Sequence, residues 1–249
     1  MGKWLAALPV YNEVGYVTDI LQEVRKYAED ILVVNDGSSD GTTEKLAGET
    51  GIHVVTHSEN QGYGAALNSA FKFAIENGYE TIVTLDCDGQ HQPKRLPRFV
   101  KACEGADIVS GSRYLKRYEG DSEPPSQRMF INRKITKSIN ETLGLNLTDA
   151  FCGFKAYRVE ALKQLDITDL GYAMPLQLWV QAAMQGMRVI EVPVPLIYLD
   201  LTRSFGGALD EAEKRLKYYE ECIAKSINEM EQRGFFLPDP APQKDQHTA

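Results

Sequence analysis

No apolar run in this 249-residue chain approaches the roughly 20 residues needed to cross a bilayer. Met1-Gly2-Lys3-Trp4 leads directly into a strand-like stretch with no signal-peptide pattern. The expectation is a cytoplasmic chain, soluble or peripheral on the cytoplasmic membrane face. Cysteine is scarce, and Cys87, Cys103, Cys152 and Cys222 form no C-x-x-C pair. That argues against a zinc site or a disulfide framework and fits a reducing compartment. Basic residues are in deficit, 27 against 35 acidic, for a net charge of −8. Without a broad basic surface, nucleic acid is not an expected partner. No self-similarity at a repeat period of about 20–50 residues is visible. The proline-rich, polar end, Leu237–Ala249, has too little apolar content to pack. It reads as a flexible tail (237–249) on a single domain of residues 1–236.

Short apolar runs and helical patterns alternate through the first 111 residues. Trp4–Leu8, Ile31–Val34, His53–Thr56, Thr81–Leu85 and Ile108–Ser110 read as strands. Val17, Ile20, Leu21, Val24 and Tyr27, and then Leu67, Ala70, Phe71, Ala74 and Ile75, recur at helical spacing. This order predicts an α/β fold with a mostly parallel sheet and a ligand crevice at the carboxyl ends of the strands. Residues 1–111 form the expected nucleotide-binding half and 112–236 a second half of looser pattern. In the second half, Lys116–Ser126 reads as a long loop and Arg128–Leu143 as a helix. Phe154–Tyr157 and Val189–Val194 read as strands, with a helix near Pro175–Met184. A last helix spans about Ala208–Arg233, with an apolar stripe through Leu209, Ala212, Leu216, Tyr219, Ile223, Ile227 and Met230, suited to core packing or a homodimer contact.

Polar residues cluster where the strands run out. Asp86 and Asp88 follow Thr81–Leu85, one residue apart. They are either a solvated acidic turn or two oxygen ligands for one hard divalent cation, Mg²⁺ or Mn²⁺, with Gln90 as a neutral oxygen ligand and His91 as a further polar group. Pro9-Val10-Tyr11-Asn12-Glu13 follows the first strand. Glu13 either accepts hydrogen bonds from a base or ribose or sits in a first helical turn capped by Asn12. In Asn35–Thr42, Asp36 is placed to bind base or ribose, while Ser39 and Asp40 suit turn chemistry. Gly62 and Gly64 precede a helix, where backbone can approach a ligand and the helix N-terminus favours phosphate. Position 67 is Leu and the motif follows the third strand, so it is not the dinucleotide fingerprint of a dehydrogenase.

Taken in order, Leu8–Glu13, Val33–Thr42, Asn60–Gly64 and Asp86–His91 resemble the family 2 glycosyltransferases. The resemblance covers at least residues 4–160. It implies the GT-A fold, a Rossmann-like three-layer α/β sandwich. Within that family Asp86–Pro93, Ile108–Tyr114, Asp149–Tyr157 and, more loosely, Arg203–Gly207 are most similar to the dolichol- or polyprenol-phosphate sugar transferases. Ala208-Leu209 stands where those enzymes carry a serine-lysine. The resemblance implies an inverting, metal-dependent transfer from a UDP- or GDP-sugar, most simply to polyprenyl phosphate. Pro9, Tyr11, Glu13, Asp36, Gly62 and Asp86 would hold the donor. Asp86, Asp88 and Gln90 would hold Mg²⁺ or Mn²⁺.

On the acceptor side, Arg113, Arg128 and Arg133, with Lys134, form either a phosphate-binding patch or a solvated charged face. Arg203 would contact donor or acceptor phosphate. Asp149 is the candidate for a general base, for acceptor positioning, or for an ordinary turn residue. Met129, Phe130 and Ile131, lying among the arginines, suit a membrane-interface segment. Two further readings remain at this point, a family 2 transferase with a soluble hydroxyl acceptor and a non-catalytic sugar-nucleotide-binding subunit.

Overall fold

The alternating apolar runs become seven strands in a computed structural model that describes residues 2–199 and 207–237. They are β1 (Trp4–Val10), β2 (Ile31–Asn35), β3 (His53–Thr56), β4 (Thr81–Thr84), β5 (Ile108–Ser112), β6 (Lys155–Arg158) and β7 (Val189–Pro193). All join one sheet in the order β3-β2-β1-β4-β6-β5-β7. Pairing is parallel from β3 through β4 and between β5 and β7, while β6 runs antiparallel to both β4 and β5. The sequence reading placed β6 but not its direction. Its reversal has a functional consequence: the start of β6 lies beside the end of β4, with Thr84 opposite Lys155.

Both faces of the inner strands are covered, so these read as continuous apolar runs rather than alternating ones, while the edge strand β3 is largely exposed. Leu5, Ala7, Leu32, Val34, Ile82 and Tyr157 pack under α3 (Tyr63–Glu76), α5 (Ser126–Leu143), α7 (Met174–Met184) and α8 (Ala212–Gln232). Ala6, Leu8, Val10, Ile31, Val33 and Ala156 pack against α1 (Val17–Val24), α2 (Thr42–Ala47) and α4 (Leu96–Ala102). Helix α4 was not foreseen, because Pro93 and Pro97 punctuate it; the latter sits in the first turn, where a missing N–H costs nothing. A four-residue α6 (Val159–Leu162) follows β6.

The stripe on the last helix is a core stripe. Tyr219, Ile223 and Met230 are buried in the layer with α5 and α7, and Arg215 and Ser226 are buried on the same face. The helix starts at Ala212 rather than near Ala208, after a short 3₁₀ turn, Gly207–Asp210. No helix among the described residues is long and apolar enough to cross a membrane.

The loop before α7 is clamped onto α3. Gln177 Oε1 accepts from the amides of Thr168 and Asp169, Gln181 Oε1 accepts from Asp166, and Ala65 donates to Leu170 O. Gly64 makes this approach possible, since a Cβ there would stand 2.3 Å from Asp169 O. Helix propensity alone predicts that Gly64→Ala gains about 1 kcal/mol. The clash with backbone predicts instead a loss of about 1–3 kcal/mol. Urea denaturation of the two proteins separates these signs, and a stabilised variant would mean the contact is absent.

Candidate active site

The order of the strands reverses between β1 and β4, and a cavity of about 640 Å³ opens at their carboxyl ends. That is where open α/β sheets bind ligands. Its walls include Pro9, Tyr11, Glu13, Asp36, Gly62, Asp86, Asp88, Gln90, Arg113 and Arg128. Most of the sequence-predicted residues are thus brought together. Arg133 is exposed on α5 and does not line the cavity, Lys134 pairs with Glu220 of α8 at 3.3 Å, and Arg203 lies outside the described residues.

At the ends of β1 and β2, two loops are laced to each other. Asn12 adopts a left-handed conformation (φ 56°) and is not a helix cap, since α1 begins only at Val17. Its amide donates to Ser38 Oγ, its Oδ1 accepts from Ser39, and the amides of Glu13 and Val14 donate to Thr42 Oγ1 and Asp40 Oδ2. Ser39 and Asp40 therefore do turn work, as expected. The lacing leaves the Glu13 side chain on the cavity wall.

Asp36 also lines the cavity, with its carboxylate engaged by the protein. Oδ1 accepts from Gln61 N and pairs with His57 Nδ1 at 2.6 Å, and Oδ2 accepts from Gly62 N at 2.8 Å. Gly62 is at φ +106°, and a Cβ there would meet Leu170 O at 2.3 Å. The glycine pair thus serves the approach of the 169–171 loop. The Gly62 and Ala65 amides are committed to Asp36 and Leu170, not offered to a phosphate.

At the end of β4, Asp86 accepts from the Tyr63 hydroxyl at 3.1 Å and donates its amide to His91 Nδ1. Asp88 accepts the Gln90 amide on Oδ1 and Gln90 Nε2 on Oδ2. Among the described residues no group of three or more His, Cys, Asp and Glu side chains is gathered for a metal. The oxygen set here is two carboxylates and the Gln90 amide. It matches what a hard cation takes when a diphosphate and water complete its shell.

Across the cavity, Arg113 follows β5 and meets Asp149 in a bidentate pair, Nε–Oδ2 2.7 Å and Nη2–Oδ1 2.9 Å. Asp149 is fully buried and also accepts from Arg113 N, Asn132 Nδ2 and Phe151 N. Burial alone would push its carboxyl up. The Arg113 charge and these hydrogen bonds outweigh it and hold the group at about 2. The general-base expectation for Asp149 is therefore corrected: the carboxylate is not among the residues lining the cavity, its oxygens are taken by protein donors, and a carboxyl held at about 2 is a weak proton acceptor. It positions Arg113 and the loop before β6.

Arg128 lies over the Tyr198 ring at 5.9 Å. A third cation was missed from sequence: Arg215, 4% exposed on α8, lines the cavity and donates to Leu209 O. Its signal was present, because it stands one turn before Tyr219 on a stripe otherwise read as apolar. Tyr198 and Tyr172, also on the wall, carried no such pattern. The 116–126 loop is anchored rather than loose. Asp121 accepts from Tyr118 N and Leu196 N, and Ser122 Oγ accepts from Tyr198 N.

Because Asp149 is depressed on folding, its contribution is present above the ordinary carboxylate pKa and lost as pH falls from about 4 to about 2. Arg113→Met leaves a buried carboxylate unpaired, with an expected loss of about 3–5 kcal/mol at neutral pH. Denaturation at pH 7 and pH 3 should show the gap between variant and parent narrowing in acid. An equal gap at both values would remove Asp149 from this account.

The glycosyl transferase family 2 model matches residues 6–166. The chain is 34% identical over 219 residues to an undecaprenyl-phosphate mannosyltransferase of Micrococcus luteus, covering 84% of this chain and 90% of that one. It is 32% identical over 228 residues to a polyprenol monophosphomannose synthase of Mycolicibacterium smegmatis, covering 84% of each. In fold it is similar to glucosyl-3-phosphoglycerate synthase from Mycobacterium tuberculosis, solved with Mn²⁺, UDP and glucosyl-3-phosphoglycerate. The TM-score is 0.69 at 16% identity, covering 91% of this chain and 80% of that one. The expected GT-A architecture is therefore the one observed, and the chain belongs to glycosyl transferase family 2, an enzyme that uses a nucleotide-sugar donor.

Proposed function

We propose that this enzyme transfers a hexose, mannose first among candidates, from a nucleotide diphosphate sugar to a polyprenyl phosphate, with inversion at the anomeric carbon. The observation that carries this reading is the polarity of the cavity. Its lining carboxylates, Glu13, Asp36, Asp86 and Asp88, all belong to the strand-end loops of the donor half. Arg113, Arg128 and Arg215 line it from the acceptor half, with no acidic side chain among the described lining residues there. The names of the curated relatives, which specify undecaprenyl-phosphate mannosyl transfer and polyprenol monophosphomannose synthesis, point the same way.

Pro9, Tyr11 and Glu13 would hold base and ribose, with Asp36 and Gly62 forming the wall beside them. Asp86, Asp88 and Gln90 would hold Mg²⁺ or Mn²⁺, which when bound compensates charge on the diphosphate leaving group. Arg113 and Arg128, with Arg215 between α5 and the 3₁₀ turn, would hold the acceptor phosphate, for which guanidinium geometry is suited. Its oxygen attacks the anomeric carbon as the bond to the diphosphate breaks. A phosphate oxygen is already anionic, so no side chain has to remove a proton. That fits an acceptor wall without a carboxylate and disfavours a hydroxyl acceptor. Leu115, Phe130 and Leu199 are exposed, each within two residues of a lining residue, and would face the membrane that carries the polyprenyl chain.

Transfer from radiolabelled GDP- and UDP-hexoses to polyprenyl phosphate in mixed micelles tests the reading. Label is expected to enter the organic phase with at least one donor, and Asp88→Asn should cut the rate about 10²-fold or more. Label that passes only to soluble hydroxyl compounds would sink the lipid acceptor. Donor binding without any transfer would support a sugar-nucleotide-binding subunit instead.

A further inference from the structure

Tyr63, the first residue of α3, donates its hydroxyl to Asp86 Oδ1 at 3.1 Å. Its ring is stacked with that of Tyr172, with centroids 6.2 Å apart and planes 15° from parallel. Tyr172 ends the loop that α3 and α7 clamp from two sides. From a third side, Tyr218 of α8 donates to Asp169 Oδ2 at 3.2 Å. A continuous set of contacts therefore runs from α8 through the 169–172 loop and the two stacked rings to one oxygen of Asp86.

The opposite side of Asp86 is equally confined. Gly153, just before β6, lies against it, and a Cβ there would stand 2.4 Å from Oδ2. With glycine on one flank and a phenol on the other, the carboxylate has little freedom to rotate. A carboxylate that ligates a cation performs well when an outer partner fixes its orientation. A phenol is a suitable partner because it restrains without neutralising. A phenol has an ordinary pKa of about 10, so at neutral pH it carries its proton and acts as a donor.

We propose that Tyr63 is a positioning residue for Asp86, and that the 169–172 loop, through Tyr172, holds Tyr63 in place. This rests on the reading of Asp86 and Asp88 as the metal-binding pair. It adds a residue and a loop that the motif around Asp86 does not contain.

The test is Mn²⁺ binding to the full chain in the presence of GDP or UDP, followed by the electron paramagnetic resonance signal of free Mn²⁺. Tyr63→Phe, which removes one oxygen, should weaken apparent Mn²⁺ affinity about 10-fold. It should lower kcat more than it raises the donor KM, with a thermal midpoint like that of the parent. Tyr172→Leu should shift affinity in the same direction by a smaller factor. Asp88→Asn is the control and should abolish binding. If Asp88→Asn loses Mn²⁺ while Tyr63→Phe binds it like the parent, Tyr63 has no positioning role and the metal reading stands. If Tyr63→Phe loses affinity only in step with a fall in thermal midpoint, its role is structural and the inference fails. Undiminished Mn²⁺ binding by Asp88→Asn would overturn the metal reading and this inference with it.

Discussion

The buried pair of Arg113 and Asp149 is the interaction on which the arginine-bearing wall of the cavity depends. One carboxylate, fully out of water, accepts from a guanidinium, two backbone amides and the Asn132 amide. It ties the end of β5, the middle of α5 and the loop before β6 to one point. Ion pairs of this kind add little net stability, because desolvation of both charges opposes their attraction. Their value is geometric. Arg113 reaches the cavity from a fixed base, and the loop held by Asp149 delivers Gly153 to Asp86 at the end of β4. Glu191 on β7 reinforces the arrangement by accepting from the amides of Thr148 and Asp149.

Asp36 does the corresponding work in the donor half. Its oxygens gather His57, Gln61 and Gly62, so the segment after β3 and the start of α3 are fixed to the end of β2. The acids in and around this site therefore divide into two kinds. Asp36 and Asp149 are occupied by protein donors and build the walls. Asp86, which accepts from Tyr63 and lies 3.8 Å from His91 Nδ1, and Asp88, which accepts from Gln90, face the space between those walls. An enzyme that binds a diphosphate and a second anion in one cavity needs both kinds. Free acids near the arginines would neutralise them, whereas an acid turned away from the cavity orients its arginine without competing for the ligand.

That division explains what could be read from the sequence and what could not. Strand existence was legible almost throughout: two-sided burial forces short apolar runs in the inner strands, and the exposed edge strand His53–Thr56 was placed to the residue by its β-branched composition. The motifs at the ends of β1, β2 and β4 were legible because polar residues there interrupt an apolar pattern. Nothing in the pattern distinguishes an Asp that binds a ligand from one that binds an amide 25 residues away, as Asp36 does with Gln61. Asp149 was misread as a possible base for the same reason: its partners, Arg113 and Asn132, are 36 and 17 residues distant. Arg215 was hidden by its own helix, where a single cation on an apolar stripe looks like a residue at the stripe's edge. The direction of β6 was hidden too, since parallel and antiparallel strands buried on both faces share one composition.

The reversal of β6 gives the site its asymmetry. A parallel strand beside β4 would end at the cavity and contribute one more polar turn like those after β1 and β2. Running the other way, β6 enters from the cavity, so the residues there are the approach to a strand rather than its exit. That approach is Asp149–Phe154, and it carries the acid that orients Arg113 and the glycine that leaves room for Asp86. The two charged walls are thus set by residues of one segment, Asp149 of the buried pair and Gly153 four positions on. Donor and acceptor sides cannot drift apart without straining that segment. Such a constraint suits a reaction in which an anion must reach an anomeric carbon in line with a departing diphosphate, where small errors in placement are costly.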